Sequence, residues 1–314
     1  MNPNFIASGG KYMSSKFRIV SDGSCDIPEA LAKENDIDIV HFLVSFNSSD
    51  YKKEGVDLEL AELYQQMVSH PGVYPKTAAP SPEDFYAAFE KRAKEGQDIL
   101  CICISTKLSS SVQSAEIARQ MLAESYPDIR VVVVDSLCCT LMQSAFVLEL
   151  CRMRDAGCSL DEALAAVDAL RKSGRILFTV GNLDYLQHGG RIGRVTSIAG
   201  NLLDLKPLIT LEDGEIHSSG IRRGRRKSLA GVVELLISYL KEQGCAPDDC
   251  NILIGYGYDP EEGSLLQEMT RKRLAEEFGP QSTLPAFQIG ATIAVHAGPY
   301  SIGFGLVRRS DRLE

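Results

Sequence analysis

Apolar runs of strand length alternate with amphipathic stretches over the first half of the chain. FRIVSD (17–22) is a short apolar run that ends in polar residues and predicts the first strand. Ile27 to Glu34 reads helical, IDIVHFLVSF (37–46) is β-rich, and LELAELYQQM (58–67) has helical spacing. Ser81-Pro82-Glu83-Asp84 predicts a helix start, with Ser as N-cap, Pro at the first helical position and an acid three residues after the cap. Gly96 ends that helix. DILCICI (98–104) shows no polar alternation, as expected of a strand buried on both faces. A Ser-rich loop and a helix to about Glu124 follow. IRVVVVD (129–135) is another doubly buried strand, and LMQSAFVLELCRMRDAG is a helix closed by Gly157. This order predicts a parallel sheet with helices on both faces.

The pattern changes after a second capping box, Ser159-Leu160-Asp161-Glu162, whose helix Gly174 closes. RILFTVG is a strand, followed by a short Gly-rich helical region. LITLEDGEIHSS carries Asp213-Gly214 between alternating runs, a hairpin signal. VVELLISYLKEQG is a helix. NILIGYGY, a helix from about Pro260 to Phe278, FQIGATIAVHAG and IGFGLVR complete a mixed sheet. In this reading His296 sits at the end of a strand, before a Gly-Pro turn. The expected fold is α/β in two domains: a tail over 1–16, an N-terminal domain over 17–170 with the parallel sheet, and a C-terminal domain over 171–314 with the mixed sheet.

With 314 residues, two domains are the default, each long enough for its own core. The 42 acidic residues exceed the 33 Lys and Arg, for a net charge of −9, which disfavours general binding of nucleic acid. No apolar run approaches the ~20 residues of a membrane span, and the first sixteen residues lack a signal-peptide core. The nine cysteines are odd in number and form no CxxC, and several lie in apolar runs. They fit a reduced, cytoplasmic protein better than a disulfide or zinc framework. The five histidines are scattered, so no metal is expected.

Four polar loops fall at the carboxyl ends of the predicted strands: SDGSCD (21–26), PKTAAPS (75–81), STKLSSS (105–111) and DSLCCT (135–140). Their hydroxyls and helix N-termini suit an anion as well as plain capping. HGGRIGR (188–194) sets glycines around Arg191, which fits either a helix end or an anion fork. IRRGRRK (221–227) packs five positive charges into seven residues, either a solvated segment or a docking patch. There is no Walker motif and no GxGxxG after the first strand.

SDGSCDIP, PKTAAPSPEDF, ISTKLSSSVQSA, VVVVDS, LDYLQHGGRIGR, LLDLKPLITLEDGEI and HAGPYSIGFG, in this order over roughly 17–308, resemble the DegV family of bacterial fatty-acid-binding proteins that serve fatty acid kinases. The chain departs from the family where Leu108-Ser109-Ser110-Ser111 replaces LSGT, and at Gly23 and Cys25. The resemblance implies one long-chain fatty acid between two domains, with no other cofactor. It implies that Thr77 and Ser109 hold the carboxylate and that Arg191 and His296 complete the polar wall. It also implies a basic contact at Arg222, with Arg223 beside it, for the ATP-binding kinase subunit that makes the acyl phosphate. The rival reading is a hydrolase or phosphotransferase using Ser109 with His296. Against it, the chain has no GxSxG elbow.

Overall fold

A computed structural model of the chain describes residues 17–193, 195, 204–280 and 284–313; the tail expected over 1–16 lies outside the described residues. The first half runs β1 (Phe17–Asp22), α1 (Glu29–Glu34), β2 (Ile37–Val40), β3 (Leu43–Ser45), β4 (Lys52–Lys53), α2 (Leu60–Ser69), β5 (Lys76–Ala78), α3 (Pro82–Ala93), β6 (Asp98–Cys103), α4 (Ser111–Ser125), β7 (Val131–Asp135) and α5 (Thr140–Asp155). The second half runs α6 (Leu160–Lys172), β8 (Arg175–Thr179), α7 (Asp184–His188), β9 (Leu205–Glu212), β10 (Glu215–Arg223), α8 (Arg225–Glu242), β11 (Cys250–Tyr256), α9 (Pro260–Phe278), β12 (Ala286–Gln288), α10 (Ala291–Ala297) and β13 (Ile302–Arg308).

Strands β2-β1-β6-β7 form a parallel sheet. Its two faces alternate along each strand, because successive side chains point to opposite sides. Val20, Ile99 and Cys101 pack against Phe85 and Phe89 of α3 and Ala115 and Leu122 of α4. Phe17, Ile19, Leu100 and Ile102 face the other way, toward Ala145 and Phe146 of α5. Both expected capping boxes form: Ser81 accepts from the Asp84 amide, and Ser159 from the Glu162 amide.

The second sheet has the order β10-β9-β8-β13-β11-β12, antiparallel throughout except for the β11–β12 pair. Leu229, Val232 and Leu236 of α8 and Leu266 and Leu274 of α9 cover one face. Helix α5 covers the other so closely that a Cβ on Gly305 would lie 2.1 Å from the Met142 backbone nitrogen. Leu253 and Val307 of this sheet therefore share one core with Phe17 and Leu100 of the first. The tip of the β9–β10 hairpin, Asp213-Gly214, has both residues at positive φ and rests on Ser105. Lys107 and Glu215 form an ion pair across this contact at 3.2 Å.

The β-rich run 37–46 holds two strands: it breaks after Val40, and Leu43–Ser45 joins a separate antiparallel sheet, β4-β3-β5. One element expectation needs correction. FQIGATIAVHAG contributes only Ala286–Gln288 as strand; Ala291–Ala297 is helical, so His296 lies in the last turn of a short helix rather than at a strand end. Seven residues, all but His296 apolar or β-branched, do not distinguish helix from strand by periodicity. Tertiary contact decides here, because Glu54 accepts hydrogen bonds from the Thr292 amide at 2.9 Å and the Thr292 hydroxyl at 2.8 Å. A carboxyl from 238 residues upstream in sequence thus caps the first turn.

A candidate ligand site between the two sheets

A cavity of about 260 Å³ lies where the hairpin side of the mixed sheet meets the loops of the parallel sheet. Most of its wall is apolar, with Phe42, Ile104, Leu141, Phe178, Ile216 and Phe304 among the lining residues. Thr77, Ser109, Arg191 and His296 all line this same cavity. Thr77 comes from β5, where it pairs with Val44 of β3. Ser109 comes from the loop that starts α4, and its hydroxyl accepts from the Ser111 amide at 3.3 Å. Arg191 follows α7, and its Nε donates to the Leu108 carbonyl at 3.2 Å while Nη1 donates to the Gly189 carbonyl at 2.5 Å. Arg191 therefore ties the loop after α7 to the loop before α4.

The Thr77 hydroxyl and His296 Nε2 are 2.8 Å apart. His296 Nδ1 is buried with no partner. It faces Gly189, where a Cβ would stand 2.3 Å from it. Burial, then the charge of Arg191, push the imidazole down to about 4, so the ring is neutral near pH 7. Assigning its one proton to Nε2 lets His296 donate to the Thr77 oxygen and leaves a lone pair, not an N–H, at the unpartnered Nδ1. The Thr77 hydroxyl then has its own proton to give to a ligand. A Thr donor, the N-terminal end of α4 and the Arg191 cation make one end of the cavity suited to a carboxylate. The remainder suits an acyl chain.

The four segments expected to be polar loops divide in their roles, and PKTAAPS is not a loop throughout, because Lys76–Ala78 is strand β5. PKTAAPS and STKLSSS supply Thr77 and Ser109 to the cavity. SDGSCD instead turns inward on itself. The fully buried Asp22 carboxyl accepts from the Ser24 hydroxyl at 2.5 Å, the Ser111 hydroxyl at 2.6 Å, the Ile104 amide at 2.9 Å and Gln143 at 3.0 Å. Donors expected to serve an external anion are thus taken by an internal one. DSLCCT lends Cys139 and Thr140 to the cavity wall.

A second feature was not legible in the sequence. Two cavity-lining threonines bind buried acids behind the wall: Thr140 donates to Asp26 at 2.6 Å, and Thr292 to Glu54. Burial raises both carboxyls; the charges of Glu54 and Asp22 raise Asp26 further, and that of Asp22 raises Glu54 further. Acids inside a core carry no sequence signal, because a carboxyl in a polar loop reads as solvent-exposed.

Arg222 and Arg223 lie at the exposed end of β10, away from the cavity lining, and Arg222 Nη1 donates to its neighbour's carbonyl, Ile221, at 3.0 Å. Arg225 of the same run pairs with Glu262 at 2.6 Å. Among the described residues no hydrogen bond joins Ser109 to His296; the imidazole is engaged by Thr77, and no carboxylate orients Nδ1. The serine–histidine pairing of the hydrolase reading is not formed.

Fold and cavity together define a class: an α/β protein whose two larger sheets, with a small third one, enclose an apolar chamber with one polar end. The chain belongs to the DegV family, whose model, described as an uncharacterised protein family, matches residues 16–309. Among solved structures it is similar to a stearic acid-binding protein from Eubacterium ventriosum, with 38% identity and a TM-score of 0.89, covering 95% of this chain and 100% of that one. A fatty-acid-binding DegV family protein from Thermus thermophilus superposes with a TM-score of 0.81 at 29% identity, covering 93% of this chain and 99% of that one. A DegV domain-containing protein of Clostridium perfringens is 30% identical over 93% of this chain and 99% of its own length. No helix among the described residues is long and apolar enough to cross a membrane.

Proposed function

We propose that this protein is a cytoplasmic carrier that binds one long-chain fatty acid and presents its carboxylate to a separate ATP-binding kinase subunit, which forms the acyl phosphate. The observation that carries the reading is the cavity itself, apolar along its length and closed at one end by Thr77, Ser109, Arg191 and His296. The solved relatives that bind stearic or another fatty acid support it. Thr77 and Ser109 hold the carboxylate, Arg191 balances its charge, and neutral His296 fixes the Thr77 hydroxyl. The acyl chain lies between domains 17–170 and 171–314.

Burying about fourteen methylenes at ~0.8 kcal/mol each contributes on the order of 11 kcal/mol before entropy losses. The carboxylate needs hydrogen bonds to offset its desolvation. The protein itself performs no bond-making step in this scheme. Arg222 and Arg223, outside the cavity, meet the kinase. Native mass spectrometry of the purified protein with lipid extraction tests the carrier role. One bound acid of about 14–18 carbons per chain is expected from a tail of this length. An empty protein with esterase turnover that disappears in Ser109→Ala overturns it.

A further inference from the structure

Far from the cavity just described, two cysteines meet at the end of α8. Helix α8 ends in a Schellman motif: Gly244, at φ +60, donates to the Lys241 carbonyl, and Cys245 donates to the Leu240 carbonyl, both at 3.1 Å. This reversal turns Cys245 back toward the sheet. Cys250 opens β11 on the same face as Ile252 and Ile254, the face that α8 covers, because strand side chains alternate. The two sulfurs lie 3.7 Å apart. Directly across the ladder from Cys250 stands Arg308 of β13. Its Nε is buried and has no hydrogen-bond partner. Cys245, Cys250, Arg308, Tyr239, Asp168 and Lys172 line a side cavity of about 500 Å³.

We propose that Cys245 and Cys250 form a thiol–disulfide exchange site, in which Cys245 attacks low-molecular-weight disulfides and Cys250 resolves the product. The Cys245 thiolate attacks one sulfur of the incoming disulfide and expels a thiolate, leaving a mixed disulfide. Cys250 then loses its proton and attacks the Cys245 sulfur, expelling the second thiolate. The sum is two protein thiols and one small disulfide converted to one protein disulfide and two small thiols. The sulfurs need only close from 3.7 Å to a bond of ~2.05 Å.

The surroundings support the division of roles. The Cys250 S–H bond to Cys245 and the Arg308 charge hold the Cys245 thiol below its ordinary range, against burial and the charge of Asp249. Cys250 is pushed up, because it keeps the proton the pair shares. Elsewhere burial raises Cys25, Cys103, Cys138, Cys139 and Cys151. Neither Cys245 nor Cys250 lines the cavity between the sheets, so the site is spatially separate from the proposed lipid cavity.

The test treats the purified full-length protein with oxidised glutathione at pH 7 and follows each cysteine by peptide mass spectrometry. A Cys245–Cys250 disulfide is expected, formed about tenfold or more faster than any adduct at the half-buried Cys158. Cys250→Ser should trap glutathione on Cys245, and Cys245→Ser should leave Cys250 unmodified. Arg308→Gln should slow the first step about tenfold. Circular dichroism reports whether each variant is folded. Modification of Cys158 at the same rate as Cys245, or a folded Cys250→Ser protein with no glutathione on Cys245, overturns the proposal.

Discussion

Replacing Thr77 by valine removes one hydroxyl and keeps the β-branched shape that suits strand β5. Two effects follow from the geometry, and they fall on different measurements. In the complex the lost bond is one to a charged carboxylate, worth ~1.5–3 kcal/mol, so affinity for palmitate should weaken about ten- to a hundredfold. In the free protein His296 loses the partner 2.8 Å from Nε2 while its Nδ1 already has none. A buried imidazole left without hydrogen bonds should lower stability by about 1–3 kcal/mol. Calorimetric titration with palmitate measures the first effect, with hexadecanol as the uncharged control of similar length. Urea unfolding of the delipidated protein measures the second. Hexadecanol affinity should change far less than palmitate affinity. Equal losses for acid and alcohol would mean that the mutation damages the chamber rather than the head-group contact. Unchanged palmitate affinity would mean that Thr77 does not hold the carboxylate.

Gly189→Ala should place a methyl 2.3 Å from His296 Nδ1 in a backbone that otherwise tolerates alanine, at φ −73. It should destabilise by about 1–3 kcal/mol, read by thermal melting, and weaken palmitate binding as Thr77→Val does; an unchanged affinity counts against the role of His296. The imidazole, held near 4 against an ordinary 6.5, is neutral in the fold, so the unfolded chain takes up the proton first as pH falls. Its contribution is present above pH 6.5 and is lost toward pH 4, while the raised Asp22, Asp26 and Glu54 act in the opposite direction. Between pH 7.5 and 4.5 wild type should therefore lose about 2–3 kcal/mol more than His296→Gln; identical losses in urea titrations refute this. Reversing Arg222 and Arg223 to glutamate should leave palmitate binding within about twofold but slow kinase-dependent phosphorylation at low salt, an effect that shrinks as salt screens the charges. Phosphorylation unchanged at low salt would make the basic segment only a solvated face.

What the sequence revealed and what it hid separate along one physical line. Local signals held. The Ser81 and Ser159 boxes, the unbroken apolar run of β6 and the Asp213-Gly214 turn each act within a few residues, and each forms. Signals that depend on distant partners did not carry through. The helix bearing His296 owes its start to Glu54, and its imidazole meets a threonine 219 residues away. SDGSCD read as open to an outside anion because nothing local shows that Asp22 would claim its hydroxyls. Arg191 and His296 stood out in their own motifs, but the roles of Thr77, Ser109, Arg191 and His296 entered through family resemblance, and the fold brings all four to one cavity.

Helix α5 is buried along nearly its whole length, with one sheet on each side. Either sheet carrying this helix alone would turn toward water the apolar face meant for the other. The two halves therefore lack separate routes to melting, and the chain should unfold in one cooperative transition rather than two. Leu141 of this helix is also part of the chamber wall. On the proposed carrier reading, a bound fatty acid adds a third layer to this core, and its binding free energy is shared by the whole molecule. The empty protein is then the less stable state, so loss of the fatty acid should expose the whole chain, rather than one loop or lid, to unfolding and proteolysis.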